Sequence, residues 1–133
     1  MNRYYLDSSV AAHAILAGGH AREWLAGVTG DDGAELMSSR LLQTELTRTL
    51  RREGIPVAER GAVLDYVALI PITESILAAA EAITEHTKTL DAIHLASALA
   101  MGGDLELATH DMNMRRLAEL LGLRVIDPVA GTS

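Results

Sequence analysis

Short apolar strand candidates alternate with longer helical patterns along all 133 residues. That alternation predicts an α/β fold, in three α/β/α layers with a mainly parallel central sheet covered by helices on both faces. Glycine punctuation supports it, because Gly18-Gly19, Gly54, Gly102-Gly103 and Gly122 each follow a helical stretch and glycine readily ends a helix. The apolar content, 49% of residues, is enough to build a core, and the length suits one domain rather than two.

The elements follow in order. Residues 3–6 read as a strand, and residues 9–17 and 21–28 as two helices parted by the paired glycines. Residues 29–33 form a Gly/Asp-rich turn and 35–37 a short strand. Ser38 or Ser39 is then expected to cap a helix running to Glu53. A helix from Pro56 to about Val67 leads to a strand at 69–72, and Thr73 caps a helix to about Thr84. Residues 90–100 are almost wholly apolar, the pattern of a helix buried nearly all round. A strand at 105–109, a helix at 112–121 and a last strand at 124–126 complete the set. The domain is expected to span 1–128, with a short tail at 129–133.

Composition excludes several classes of function. The richest apolar runs, near 10–16 and 76–83, are far short of the ~20 residues of a membrane span. The first residues run straight into a strand candidate, unlike a signal peptide. The chain has no cysteine, so it has no disulfide and no thiolate metal site, which fits a cytoplasmic protein. Eleven Lys plus Arg stand against 18 Asp plus Glu, a net charge of −7, so a nucleic acid would have to be held by local arginines or by a metal ion. The aromatics are Trp24, Tyr4, Tyr5 and Tyr66, with no Phe, too few for a base-stacking platform. No P-loop, dinucleotide fingerprint, G-x-S-x-G or paired zinc-spaced His appears.

The acids are more informative. Asp7 and Asp111 each stand just past a strand candidate, at the sheet edge where open α/β sheets keep their ligands; the alternative role for each is a helix N-cap. With Leu41 at 0° on a helical wheel, Glu45 falls at ~40° and Leu42 at ~100°, so a carboxylate lies inside the apolar stripe. A lone buried carboxylate is costly, and Arg48 or Arg52 is the partner a purely structural Glu45 would take. Asp91 opens the apolar helix, where an acid also suits the helix dipole. His94, one turn on, reads as a satisfied core histidine. If these four acids converge, mutual repulsion demands a cation, and Mg²⁺ or Mn²⁺ suits carboxylate oxygens. Such an ion suits phosphodiester hydrolysis.

At this point the chain resembles a known family. YLDSS at residues 5–9, SSRLLQTEL at 38–46, TLDAIHLASAL at 89–99 and LATHDMNM at 107–114 look like the four motif blocks of the PIN-domain ribonucleases, most closely the VapC toxins of bacterial toxin–antitoxin pairs. The resemblance covers nearly the whole chain. It implies a PIN-like fold, RNA cleavage, and Asp7, Glu45, Asp91 and Asp111 as the acidic quartet that holds Mg²⁺ or Mn²⁺. It also implies supporting roles for Ser8 or Ser9 and for Thr109, a homodimer, and a VapB-type antitoxin that silences the toxin in a heterotetramer or larger complex. Many relatives carry a further acid where this chain has Asn113, which offers an amide oxygen and one less negative charge. Arg48, Arg52, Arg115 and Arg116 follow the acids by one or two helical turns and are candidates for RNA phosphate contact. A catalytically weak module that binds a partner protein is the competing expectation. An aspartyl-phosphate enzyme fits poorly, because Ser9 stands where its second acid belongs and Lys88 is the only lysine.

Overall fold

The computed structural model describes residues 2–131. Five parallel strands form one sheet in the order β3-β2-β1-β4-β5: β1 (Asn2–Leu6), β2 (Ala34–Ser39), β3 (Ala68–Ile70), β4 (Leu105–Ala108) and β5 (Arg124–Ile126). Successive strand residues face opposite sides, and β1 shows what that does. Leu6 joins an apolar cluster with α1 (Ser8–Leu16), α2 (Gly19–Thr29) and α3 (Leu41–Arg52). Tyr5, its neighbour, joins the opposite cluster with α6 (Thr89–Met101) and α7 (Met112–Leu120). The expected three layers are therefore present.

The chain steps outward from β1 to β2 and β3, returns across the other face to β4 beside β1, and continues to β5. The strand order thus reverses between β1 and β4. At that point the crossovers leave on opposite faces and open a crevice at the carboxyl ends of the strands. Leu6 pairs with Ala108 there, and the Asp7 N–H donates to the Ala108 carbonyl at 3.0 Å. Asp7 and Asp111 are the residues this topology places at the crevice.

Burial accounts for the helices. Leu42, Leu46 and Leu50 on α3 are fully buried at a spacing of one turn, the stripe that an amphipathic helix presents to a core. α5 (Glu74–Glu81) covers α6 rather than the sheet, placing Ile76 and Ala80 on Ala92, Ile93 and Ala96. This second covering layer is why α6 is apolar nearly all round. Thr73 caps α5 as expected, its hydroxyl accepting from Ile76 N at 3.2 Å.

Two expectations are corrected. The helix expected from Pro56 to Val67 is instead a 3-10 turn at Val57–Arg60 followed by the short α4 (Gly61–Leu64). Gly61 interrupts the run with a poor helix former, and the chain must be extended again by Ala68 to pair with Met37. The strand expected at 35–37 continues through Ser39, so α3 starts at Leu41 with Arg40 at its N-cap. Ser39 still serves the helix start by accepting from Leu41 N at 3.1 Å, whereas Ser38 donates to the Leu6 carbonyl and ties β2 to β1. Within the expected tail, Val129 packs on the first core cluster, and the Val129 and Ala130 N–H groups donate to Asp127 Oδ1. Residues 132 and 133 lie outside the described residues.

Candidate active site

Asp7 is buried, 4% exposed, at the end of β1. It occupies the N-cap position of α1, yet its side chain makes no capping bond. Its Oδ2 instead accepts from Ser9 Oγ at 2.7 Å and from Thr109 Oγ1 at 2.8 Å. Both hydroxyls are held in turn, Ser9 by His110 N at 3.0 Å and Thr109 by Asp111 N at 3.1 Å. The turn after β4 is thereby clamped to the turn after β1, and Asp7 is aimed by one neighbour two residues away and another 102 residues away in sequence. Holding a buried carboxylate this way offsets its desolvation cost.

Asp111 does act as an N-cap. Its Oδ1 accepts from Asn113 N at 2.8 Å and Met114 N at 3.0 Å, which leaves Oδ2 outside the cap. Asn113 is exposed, and its amide oxygen accepts from Arg116 at 2.8 Å. Asp91 is half-buried in the first turn of α6. Burial pushes its carboxyl above the ordinary range, and the charges of Asp7, Asp111 and Glu45 push it further, against a smaller opposing pull from His94. All three other acids thus act on Asp91.

Asp7, Asp91 and Asp111, with Ser8, Ser9 and Arg52, line one cavity of about 370 Å³. Glu45 is not in its wall but lies one turn before Thr49, which is. It pairs with neither Arg48 nor Arg52: its Oε1 lies 2.5 Å from His94 Nε2. The His94 ring is wholly buried, and its Nδ1 meets the Tyr5 hydroxyl at 2.7 Å. Burial lowers the His94 pKa, but the bond to Glu45 and the surrounding acids outweigh it and hold the imidazole above its ordinary value. The Tyr5 phenol is pushed up by its burial.

Among the described residues, no group of three or more His, Asp or Glu side chains is arranged to hold an ion as it stands. Asp7, Asp91 and Asp111 line a common space rather than surround a common point. Their donor set is all oxygen, suited to a hard divalent cation. A larger cavity of about 450 Å³ lies between α1, α2 and the 59–66 segment, and Glu59 is the only acid lining it. Charge, not size, singles out the acidic crevice.

The arginines divide. Arg48 is exposed on α3. Arg52 lines the acidic cavity and stands 3.9 Å from Glu53. Arg115 pairs with Glu119 at 3.2 Å, and Arg116 holds Asn113. The sequence reading missed the polar groups around the acids: Tyr5, His13 on the cavity wall, and the His110–Asp127 pair at 2.9 Å. The available signal was a lone His and a Tyr hydroxyl inside apolar runs, since buried polar groups need partners.

The PIN domain family profile matches residues 4–120. The chain belongs to the PIN-domain family. Among curated proteins, this PIN domain is 37% identical over 95 residues to ribonuclease VapC46 of Mycobacterium tuberculosis, covering 69% of this chain and 73% of that one. Among solved structures it is similar to Mycobacterium tuberculosis VapC20, a Sarcin-Ricin loop cleaving toxin, with a TM-score of 0.71, 17% identity, and 94% and 99% of the two chains covered. It is also similar to a chain of VapBC2 from Rickettsia felis bound to a promoter DNA fragment, with a TM-score of 0.69, 14% identity, and 94% and 98% covered. These likenesses bear out the expected α/β/α PIN fold.

Proposed function

We propose that this PIN domain is a divalent-metal-dependent endoribonuclease of VapC type, the toxin of a VapBC-type toxin–antitoxin pair. One observation carries the reading: three carboxylates from distant parts of the sequence line one crevice at the strand-order reversal, and the charge of the fourth, Glu45, acts on one of them, Asp91. The 37% identity to ribonuclease VapC46 supports the same activity.

Asp7, Glu45, Asp91 and Asp111 are the residues that would hold Mg²⁺ or Mn²⁺. A bound divalent ion supplies charge neutralisation and lowers the pKa of a water for attack on phosphorus. The chain's own part is positioning. Ser9 and Thr109 hold one oxygen of Asp7, and the first turn of α7 holds one oxygen of Asp111. An acid of the crevice would take the water's proton as the water oxygen bonds to phosphorus in line with the P–O3′ bond; that bond breaks and the departing 3′ oxygen takes up a proton from solvent, leaving 5′-phosphate and 3′-hydroxyl ends. Arg48, exposed on α3, and Arg52, on the cavity wall, would meet RNA phosphates, and Arg115 and Arg116 would exchange their bonds to Glu119 and Asn113 for phosphate. Ser8 and Asn113 are proposed as supporting polar groups at the rim.

The partners of this reading are RNA, a VapB-type antitoxin and a second copy of the chain, in a heterotetramer or larger complex, in the cytoplasm. Among the described residues, no helix is long and apolar enough to cross a membrane. The competing reading, a module that binds its partner without cleaving RNA, draws on one fact, that the acids are not gathered about a point. An RNA cleavage assay with and without EDTA, on wild type and Asp7→Asn, separates the two. Cleavage that needs the ion and the carboxylate is expected. Full activity in EDTA or in the variant overturns the mechanism, and the absence of any cleavage favours the binding module.

A further inference from the structure

We propose that His94, backed by Tyr5, is a positioning residue that fixes Glu45 for metal binding; the proposal rests on the reading just given. A wholly buried imidazole is tolerated only when both ring nitrogens have partners, and here each partner is informative. Ser39 N–H donates to Tyr5 Oη at 3.2 Å, and Tyr5 Oη lies 2.7 Å from His94 Nδ1. On the far side, His94 Nε2 lies 2.5 Å from Glu45 Oε1. An ionised carboxylate offers acceptors only, so Nε2 carries the hydrogen whichever charge the ring bears.

The line of bonds therefore runs from the β2 backbone, through a phenol on β1 and an imidazole on α6, to a carboxylate on α3. Its anchors lie in the sheet and its free end is the one acid that does not line the cavity. It engages Oε1 and leaves Oε2 outside the bond. An untethered Glu on a helix surface samples several rotamers, and ordering it on binding costs free energy; the tether removes that cost in advance. Packing alone does not call for this arrangement. A Leu in place of His94 would suit the apolar helix, since exchanging a buried polar network for apolar packing is often neutral or better.

The test is Mn²⁺ binding to the full chain without RNA, read by electron paramagnetic resonance of the free ion, with melting in EDTA to confirm folding. Outer-sphere partners of a ligand typically govern ~10–100-fold in metal affinity, and His94→Leu is expected to lose that much. Tyr5→Phe should lose a smaller factor and add nothing in the His94→Leu background. His94→Gln, whose amide still donates to Glu45, should recover most of the affinity. Affinities within about two-fold of wild type in all three variants overturn the proposal and leave the metal reading standing. If His94→Leu does not fold, Tyr5→Phe, which does not touch Glu45, decides alone. If wild type binds no Mn²⁺, or binds it equally well after Asp7→Asn, the metal reading fails and the proposal falls with it.

Discussion

Asp91→Asn should stabilise the metal-free protein and weaken its response to metal. Asp91 feels the charges of Asp7, Asp111 and Glu45 and is half-buried, so each repulsion is discounted for solvent to ~0.5 kcal/mol. Against their removal stand the loss of a first-turn charge on α6, ~0.5 kcal/mol, and of the attraction to His94. With the His94 attraction also counted at ~0.5 kcal/mol, the net gain is ~0.5 kcal/mol, or roughly 2 °C in Tm for a domain of this size. The sign with pH follows from the cause. Burial and neighbouring carboxylates hold this carboxyl above its ordinary value, so its favourable contribution is full below the unfolded carboxylate pKa and is lost as pH rises through the folded one. The variant's advantage in EDTA is therefore greatest near neutral pH and fades in acid. Saturating Mn²⁺ reverses the ranking, because a ligand at a hundred times its Kd stabilises by ~2.7 kcal/mol and the variant binds it more weakly. Thermal melts of both proteins, in EDTA and in Mn²⁺ across pH, read all of this. A variant less stable in EDTA, or equally favoured with and without Mn²⁺, refutes the idea that these acids form one repulsive cluster.

Three further outcomes are expected. Thr109→Val keeps the shape but removes the hydroxyl that donates to Asp7 and accepts from Asp111 N; RNA cleavage should fall by ~10–100-fold, with the loss read against an unchanged folded fraction by circular dichroism. Arg48→Ala should weaken RNA binding more than Mn²⁺ binding, and equal RNA affinity in filter binding refutes that contact. Asp127→Ala strips partners from Val129 N, Ala130 N and His110 and should cost ~1–3 kcal/mol in urea denaturation at neutral pH. Burial raises the Asp127 pKa, but the His110 and backbone bonds outweigh it and hold the carboxyl below its ordinary value. Its contribution is thus present above the unfolded pKa and lost as pH falls through the folded one, so variant and wild type converge in strong acid.

Local chemistry was legible where it is local in origin. The Thr73 cap, the buried stripe of Leu42, Leu46 and Leu50, and the doubly covered α6 follow from spacing alone, because each depends on residues within a turn or two. The segment after Pro56 was misjudged because its length is set by where β3 must meet β2, a constraint that lies outside its own residues. Glu45 shows the same limit at the site. Its place in an apolar stripe announced that it needed a partner. Helical geometry offered Arg48 and Arg52, while the fold supplied His94 from forty-nine positions away.

The sequence by itself determined the alternation of strands and helices, the number of candidate acids and their places at strand ends and helix starts, since periodicity and capping act over a few residues. Tertiary structure alone decided that Asp7 is clamped by Ser9 and Thr109 rather than spent on capping α1 while Asp111 caps α7, and that Tyr5, His94 and Glu45 form one line. The reason is physical. A side chain's free energy depends on what excludes water from it and what bonds to it, and in a parallel sheet those neighbours come from segments that the crossovers, not the local sequence, bring together.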